Sequence, residues 1–489
     1  MKKALASALA LFLVFAAFFT AFAEEKAATD LKGLVQITAS SSNNLAALED
    51  RNQNTYLSFG EHTVFTLLSS TPIAALYVEF DRIPGEWELK IEGSEKTFTC
   101  GKSGFLHEYV DVFELASSSV ERLTLSFESS VAVSEIYAFS EGEVPDFVQR
   151  WEKKETPCDL LLLPTHSDDD QLFFAGIVPT YVSRGLDVQV AFFAHHWATH
   201  DRPHELLNAL WHAGLLRYPL ISEFVDAYSE SAKQAEDQLA YAGFPREDVL
   251  LYQTRLLRKF RPQVVVGHDL DGEYGHGQHM YNAETLCAAL ELSKDESYDE
   301  KSVREYGVWD VPRCYLHLYS ENAVVCDFDE PLEYFGGKTA FEVSKEAFSF
   351  HHSQLWTWFA DWIDVSRADE ITLYSPTHYG LYYAADQSTV PSADFFEGLE
   401  TYAALEELKK LEEEISQKLE EEEAENKAEL EQIETEIDKL DETLEETKTK
   451  IEAGTQTFWI LVVVTSVLIL VFGVVMVTRN NKLRHRLGK

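Results

Sequence analysis

Two strongly apolar runs in this sequence are each followed at once by a cluster of histidines and carboxylates. The first run, "CDLLLLP" (158–164), precedes "HSDDD" (166–170), and the second, "VVV" (264–266), precedes "GHDLDGEYGHGQH" (267–279). Strand-like segments such as "DVQVAFFA" alternate here with helix-like ones such as "RPHELLNALWHAGL", a pattern that predicts βαβ units and a mostly parallel sheet. Ligands of such sheets bind beyond the carboxyl ends of the strands, so we expect both clusters at one edge.

The two clusters contain residue types that bind zinc. His166 and Asp169 lie three residues apart in the first cluster, and His276 and His279 lie three apart in the second. A catalytic zinc ion takes three protein ligands, such as imidazole and carboxylate groups, and keeps one position open. Two ligands from the first cluster and one from the second would complete such a site. One carboxylate of the first cluster would then not be needed as a ligand. This combination predicts metal-assisted hydrolysis with Zn²⁺ as the cofactor.

These motifs carry a resemblance to a known family. A strand followed by "HSDDD", a helix opening with "RPHE" (202–205) and "GHGQH" after a later strand follow the order of the PIG-L/LmbE family. Residues 157–398 resemble these zinc-dependent N-acetylglucosamine deacetylases, whose domain is a Rossmann-like α/β fold. The family signature is His-Pro-Asp-Asp-Glu, so Ser167 replaces Pro and Asp170 replaces Glu. Asp170 is expected to face the start of the following helix, where a carboxylate is favourable.

The resemblance implies the ligands and the base of the reaction. It assigns the three zinc ligands to His166, Asp169 and His279. It makes Asp168 the general base that takes a proton from the attacking water. The two neighbouring aspartates therefore have different roles, which the positive charge of a metal makes compatible.

The resemblance also implies roles for three residues around the metal. Arg202 is expected to bind substrate. His276 would assist at the tetrahedral intermediate and the leaving amine, and Tyr274 would contact the developing oxyanion. Gln278 stands where many members of the family carry Asp, which leaves the pKa of His276 open.

The N-terminal part of the chain has a different pattern. Short strand-like runs broken by Gly, Asn, Ser and Pro predict a β-sandwich over residues 30–145. The stretch "ASSSNNLAALEDRNQNTYLSF" (39–59) resembles the opening of discoidin-like, galactose-binding-like domains. Such domains often bind glycans, and many others only pack beside a catalytic domain. Both roles remain open for this segment.

Both ends of the chain indicate export and membrane anchoring. Residues 1–23 have a basic start, an apolar run and a small-x-small end, as secretory signal peptides do. Residues 458–478 form an uncharged apolar stretch, long enough to cross a bilayer core of about 30 Å. The basic tail 479–489 is expected to stay in the cytoplasm. We therefore expect a single-pass protein of the cell membrane whose N-terminal bulk is extracytoplasmic.

The segment 399–453 is dominated by Glu and Lys. Leucines and isoleucines recur in it at spacings of three and four, which predicts a charged coiled-coil stalk through which chains self-associate. The formal net charge of the whole chain is −42. Such a charge argues against nucleic acid and against an anionic membrane surface as partners.

A second histidine-rich stretch allows another reading. His196, His200 and His204 are four residues apart and would form a metal-binding face in a helix, but Asp201 and Pro203 favour a loop. Such a separate metal site is therefore the weaker alternative.

Four further features are left open. His195 or His196 can line the substrate cleft, and His268 and Asp269 can support the metal ligands. The aromatic segment 350–363 indicates most simply a buried helix, with an exposed platform for glycans as the alternative. The five cysteines match no disulfide framework and are expected to be mostly buried free thiols.

Together these patterns favour a membrane-anchored, extracytoplasmic zinc hydrolase. Its expected partner is an N-acetylated amino-sugar glycan or glycoconjugate, from which it removes the acetyl group of an N-acetylglucosamine-type sugar. The alternative is a surface glycan-binding protein whose α/β domain is inactive. The retained ligand set and Asp168 favour the enzyme, because a decayed site loses ligands.

Overall fold

A computed structural model describes residues 26–42, 44–386, 391, 393–452 and 458–486. The chain divides into two units, Met1–Tyr402 and Ala403–Lys489. The first unit contains a β-sandwich and an α/β sheet, and the second contains two long helices. The predicted signal peptide (1–23) lies outside the described residues.

Two antiparallel sheets form the sandwich. The strands are β1 (Val35–Ala39), β2 (Leu57–Phe59), β3 (Thr63–Ile73), β4 (Ala75–Phe80), β5 (Trp87–Ile91), β6 (Thr97–Cys100), β7 (His107–Asp111), β8 (Val120–Phe127) and β9 (Val131–Phe139), with a short helix α1 (Val112–Ala116). One sheet has the order β1-β3-β8-β5-β6 and the other β2-β9-β4-β7. Alternate residues point inward, as in β5, where Trp87, Leu89 and Ile91 are buried. This alternation gives the two sheets a common apolar core.

A seven-stranded sheet follows the sandwich. Its strands are β10 (Leu160–Leu162), β11 (Val188–Phe192), β12 (Leu220–Ile221), β13 (Val264–Gly267), β14 (Arg313–His317), β15 (Ala323–Val325) and β18 (His378–Ala384), and β16 (Pro331–Leu332) pairs with β17 (Lys338–Thr339) outside it. The order is β12-β11-β10-β13-β14-β18-β15. The first five strands in this order are parallel. Strand β18 runs antiparallel to β14, and β15 pairs antiparallel with β18, so β15 again runs in the direction of the first five. The predicted α/β class with a mostly parallel sheet is confirmed.

Helices cover both faces of this sheet. They are α2 (Ile177–Ser183), α3 (Asp201–His212), α4 (Ala232–Tyr241), α5 (Arg246–Phe260), α6 (Gly277–Ser293), α7 (Glu300–Tyr306), α8 (Ala340–Phe348) and α9 (Trp358–Ile363). Leu160 and Leu162 of β10 belong to the same apolar core as residues of α2 and α3, whereas Leu161 packs in a separate core with residues of α5 and α6. Burial on both faces explains why the strand is continuously apolar.

Buried polar side chains join the sandwich to one side of α3. The imidazoles of His107 and His204 are hydrogen-bonded through Nε2 and Nδ1 at 2.6 Å, and both residues are fully buried. Gln149 Nε2 donates to Asn208 Oδ1 at 2.6 Å, and Asn208 Nδ2 donates to Gln53 Oε1 at 2.9 Å. Buried polar groups depend on such partners. The sandwich therefore supports the α/β domain and is not simply tethered to it.

The second unit contains α10 (Tyr402–Glu452) and α11 (Phe458–Arg486). In α10, which covers the predicted stalk, the apolar side chains of Leu411 and Ile415 are half-exposed, and the coiled coil stays a prediction. Within α11, the described residues Leu461–Lys482 are long and apolar enough to cross a membrane.

One ion pair in this unit bears on the predicted topology. Arg479 near the end of α11 pairs with Glu429 of α10, so the two helices lie side by side. The topology predicted above would place these two residues on opposite sides of a membrane. The orientation in a membrane therefore stays a prediction.

Candidate metal and catalytic site

Both predicted clusters lie at the same edge of the seven-stranded sheet. The loops that carry them follow β10 and β13, which are neighbours in the sheet, with Leu160 opposite Val264 and Leu162 opposite Val266. From β10 the chain continues to β11 on one side, and from β13 it continues to β14 on the other. Between such strands a crevice opens beyond their carboxyl ends, and this is where open α/β sheets bind ligands.

Three donor atoms converge in this crevice. His166 Nδ1 lies 3.0 Å from His279 Nε2 and 3.3 Å from Asp169 Oδ2, and His279 Nε2 lies 3.4 Å from the same oxygen. Ligands at about 2.1 Å from a tetrahedral zinc ion are about 3.4 Å apart. The three predicted ligands therefore fit Zn²⁺ by their chemistry and by their spacing.

The outer nitrogens of the two histidines fix which ring nitrogen faces the centre. His166 Nε2 donates to Gln278 Oε1 at 3.2 Å, and His279 Nδ1 donates to Glu273 Oε2 at 2.7 Å. This assignment leaves a lone pair on each inner nitrogen. Metal-binding histidines are oriented in the same way, by donation from the outer N–H.

The electric field at this point favours a positive charge. Burial by itself lowers the pKa of His166, but the carboxylates of Asp169 and Asp226 raise this pKa to about 10. A metal cation bound between the three donor atoms would be stabilised by the same two carboxylates.

A buried carboxylate, Glu273, lies behind the centre. Besides His279, its Oε2 accepts from His268 Nδ1 at 2.8 Å, and its Oε1 accepts from His317 Nδ1 at 2.6 Å. Burial would raise the pKa of Glu273, but the attraction of the neighbouring His268 ring and the hydrogen bonds from the three imidazoles hold it well below its usual range. Glu273 is therefore ionised and fixes the orientation of His279.

His268 offers an alternative ligand. Asp169, His268 and His279 could together hold a metal ion, as could His166, His276 and His279. The backbone N–H of Thr165, however, donates to His268 Nε2 at 2.9 Å, while His268 Nδ1 donates to Glu273. Because both ring nitrogens are already engaged, His268 acts as a support.

Asp168, the predicted base, lies at the wall of the crevice and is buried. Its Oδ1 accepts from Arg202 Nη2 at 3.2 Å, and Arg202 Nε donates to Ser167 Oγ at 3.1 Å. The structure thus places Arg202, predicted to bind substrate, directly against the predicted base.

His276 and Tyr274 line the other side of the crevice. Burial, together with the charges of His166 and His279, lowers the pKa of His276 to about 2, so this imidazole is neutral. The Tyr274 ring lies 5.4 Å from the His276 ring and 5.6 Å from the His279 ring, between centroids. Tyr274 has a φ of 45°, a left-handed conformation that a tyrosine adopts only where the surrounding loop imposes it.

One expectation drawn from the departures in the motif was wrong, and one open point is resolved by the contacts of Gln278. Asp170 does not face a helix start, because residues 170–176 form turns and α2 begins at Ile177; its Oδ2 accepts from Gln171 Nε2 at 2.6 Å. Gln278 orients His166 through its side chain and meets His276 only through its backbone N–H, 3.3 Å from His276 Nδ1.

The alternative metal face in the second histidine-rich stretch is not formed among the described residues. His196 Nδ1 lies 3.2 Å from Asp226 Oδ2, beside the candidate site. His200 Nδ1 lies 2.7 Å from Asp81 Oδ1 of the sandwich, and His204 pairs with His107. The three side chains diverge to three different partners.

Asp269 was left open as a support for the metal ligands. Its Oδ1 accepts from the backbone N–H of Asp271, within the same turn.

The expectation of a buried helix at 350–363 was wrong. Only Trp358–Ile363 is helical, and within this helix only Ile363 is buried. Trp356 is 83% exposed. The preceding turn is held by Glu205 of α3, which accepts from Ser353 N at 2.8 Å and from Ser353 Oγ at 2.6 Å.

Sequence reasoning missed three residues of the site: Glu273, His317 and Asp226. Glu273 lies inside "GEYGHGQH", so a buried acid between candidate ligands was a usable signal. His317 ends β14, the strand next to β13, and its place at the same sheet edge is visible only once the strand order is known. Asp226 lies in a connecting segment that carries no motif.

Comparison with known proteins identifies relatives of part of the chain. No family model matches the chain. A 1D-myo-inositol 2-acetamido-2-deoxy-alpha-D-glucopyranoside deacetylase from Rhodococcus jostii is 28% identical over 187 residues. The resemblance to the PIG-L/LmbE deacetylases is confirmed. The match spans 34% of this chain and 63% of that relative.

Solved structures give weaker likenesses to parts of the chain. The N,N'-diacetylchitobiose deacetylase from Pyrococcus horikoshii is 14% identical, with a TM-score of 0.34 over 48% of this chain and 88% of that one. The CBM32 module CpGH89CBM32-6 of Clostridium perfringens is 18% identical, with a TM-score of 0.19 over 22% of this chain and 96% of that one.

Proposed function

We propose that the protein is a zinc-dependent N-deacetylase. It removes the acetyl group from an N-acetylglucosamine-type sugar of a glycan or glycoconjugate, using a Rossmann-like α/β domain. The observation that carries this proposal is the set of three donor atoms 3.0–3.4 Å apart. Asp168, the residue before Asp169, is buried and held by Arg202. The Rhodococcus jostii relative, a deacetylase of a 2-acetamido-2-deoxyglucopyranoside, supports the substrate class.

The side chains of this protein divide the chemistry among them. Zn²⁺ held by His166, Asp169 and His279 would supply a Lewis acid for the acetyl carbonyl and the attacking water. Asp168 accepts the proton that the water loses, and Arg202 holds this carboxylate in place. Neutral His276 has its Nδ1 engaged by the backbone and keeps its Nε2–H for the oxyanion and the leaving amine. Tyr274 lies beside His276 and would contact the developing oxyanion.

The proposed location is the cell membrane, with the N-terminal bulk outside the cytoplasm. The signal-like residues 1–23, the apolar helix within α11 and the basic tail support it. Protease added to intact cells should release the catalytic unit. Complete protection, under conditions that digest a known surface marker, would contradict this orientation.

Zinc content and acetate release test the activity. The full-length protein in detergent should bind one zinc ion and release acetate from N-acetylglucosamine. His166→Ala, Asp169→Ala and His279→Ala should each lose the metal, and His212→Ala, a half-buried histidine paired with Glu346, should keep it. Normal zinc content in all three ligand variants would show that the site is misplaced. Sugar binding without acetate release would favour the alternative of a glycan-binding protein.

A further inference from the structure

An exposed apolar surface lies next to the candidate site. Four large side chains form it: Leu355, Trp356, Trp358 and Leu373, which are 42%, 83%, 47% and 59% exposed. We refer to these four residues as the tryptophan patch. Single exposed apolar residues are ordinary, but a group of large ones marks a surface that meets a partner.

The patch is held in place by hydrogen bonds. Trp356 Nε1 donates to the carbonyl oxygen of Ser353 at 2.7 Å, and Ser353 is itself held by Glu205 of α3. Trp362 Nε1 donates to the carbonyl oxygen of Leu373 at 3.0 Å, which ties the second segment of the patch to α9. With its N–H engaged, the indole of Trp356 has its apolar faces left for a partner.

A row of rings leads from the patch to the metal ligands. The Trp358 ring lies 6.2 Å from the Tyr274 ring, between centroids. Tyr274 in turn lies 5.4 Å from His276 and 5.6 Å from His279. A molecule that reaches the crevice and extends past Tyr274 therefore meets the tryptophan patch.

We infer that the tryptophan patch binds the sugar residues that neighbour the one being deacetylated, so that the substrate is an oligosaccharide or polysaccharide chain. The inference rests on the proposed function. The C–H faces of pyranose rings pack well on indole rings, and an N-acetylated sugar chain is uncharged. The formal net charge of −42 disfavours an anionic membrane surface as the occupant.

Oligosaccharide binding and turnover test this assignment separately. The probes are N-acetylglucosamine and its β-1,4-linked hexamer, with the full-length protein in detergent. Binding is measured by calorimetry in the Asp168→Asn background, and turnover is measured as acetate release in the parent. Trp356→Ala and Trp358→Ala should each weaken hexamer binding about tenfold or more, as truncation of a central tryptophan commonly does. Both should leave turnover of the monosaccharide unchanged.

Two further variants serve as controls. Trp356→Tyr should restore much of the hexamer affinity, because an aromatic face returns. Tyr241→Ala removes another aromatic residue, 96% exposed at the end of α4, and should have no effect.

Each result bears on one of the two proposals. Loss of hexamer binding with normal monosaccharide turnover supports the patch. Hexamer binding in both alanine variants equal to that of Asp168→Asn alone overturns it, as does a change only in self-association during sedimentation. Absence of monosaccharide turnover in the parent would count against the proposed function, whereas the calorimetric result would still decide the role of the patch.

Discussion

Replacing Glu273 by Gln would test how far a residue that touches no substrate controls the metal centre. Glu273 is fully buried and accepts hydrogen bonds from His268, His279 and His317 at 2.6–2.8 Å. The amide of Gln has nearly the same shape. Its nitrogen is a donor, however, so at least one imidazole N–H would face another donor and lose its acceptor.

The magnitude follows from burial and charge. Removing one partner of a buried ion pair costs about 3–5 kcal/mol of stability. Loss of a carboxylate behind a metal-binding histidine weakens metal affinity about 10–100-fold. Because His279 depends on Glu273 alone for its outer hydrogen bond in the described contacts, we expect the zinc affinity of Glu273→Gln to fall within that range.

Chelator competition on the full-length protein in detergent measures the zinc affinity, and a thermal melt measures the stability. Asp271→Asn is the matched control, since Asp271 is an exposed acid of the same loop. If Glu273→Gln melts earlier yet binds zinc as tightly as the parent, Glu273 supports only the fold. His279 would then hold its orientation without Glu273.

Three other changes have defined outcomes. Asp168→Asn should keep zinc but lose most acetate release, because the amide cannot take a proton. Deleting residues 26–145 should abolish acetate release from both monosaccharide and hexamer, since His204 loses its buried partner; activity on the monosaccharide would contradict this. Burial and the charge of Glu135 raise the pKa of Glu79 to about 8. Between pH 4.5 and pH 8 the folded chain holds this proton and the unfolded chain does not. The free energy of unfolding therefore falls by about 1.4 kcal/mol for each pH unit of increase. Glu79→Gln should remove this loss, and chemical denaturation at pH 5 and pH 8 measures it.

The convergence of the candidate ligands was predictable from the sequence because both clusters begin at strand ends. His166 and Asp169 lie in the loop after β10, and His279 lies in the first turn of α6, which follows the loop after β13. Parallel neighbours bring such segments together. The apolar runs also predicted the sandwich and the α/β sheet, since burial on one or both faces leaves a periodic pattern.

Contacts that depend on long-range packing were not predictable. His317 joins the site because β14 lies beside β13, and Trp356 is exposed because its segment forms only a short helix at the surface. An aromatic run such as 350–363 has the same composition whether it is buried or exposed. The partners of the Gln278 side chain also depend on long-range packing. Its Oε1 accepts from His166 Nε2 and from the backbone N–H of Ala227, which lies in the segment before α4.

Helix α3 makes the two halves of the first unit inseparable. Its first turn carries Arg202, which holds Asp168, and its next turns carry His204 and Asn208, which are hydrogen-bonded to His107 and Gln53 of the sandwich. A substitution inside the sandwich is therefore expected to shift Arg202 and Asp168 although it lies outside the candidate site. A chimera that exchanged the sandwich for that of a related protein would have to exchange the matching side of this helix as well, so the two parts are expected to diverge in evolution as one module.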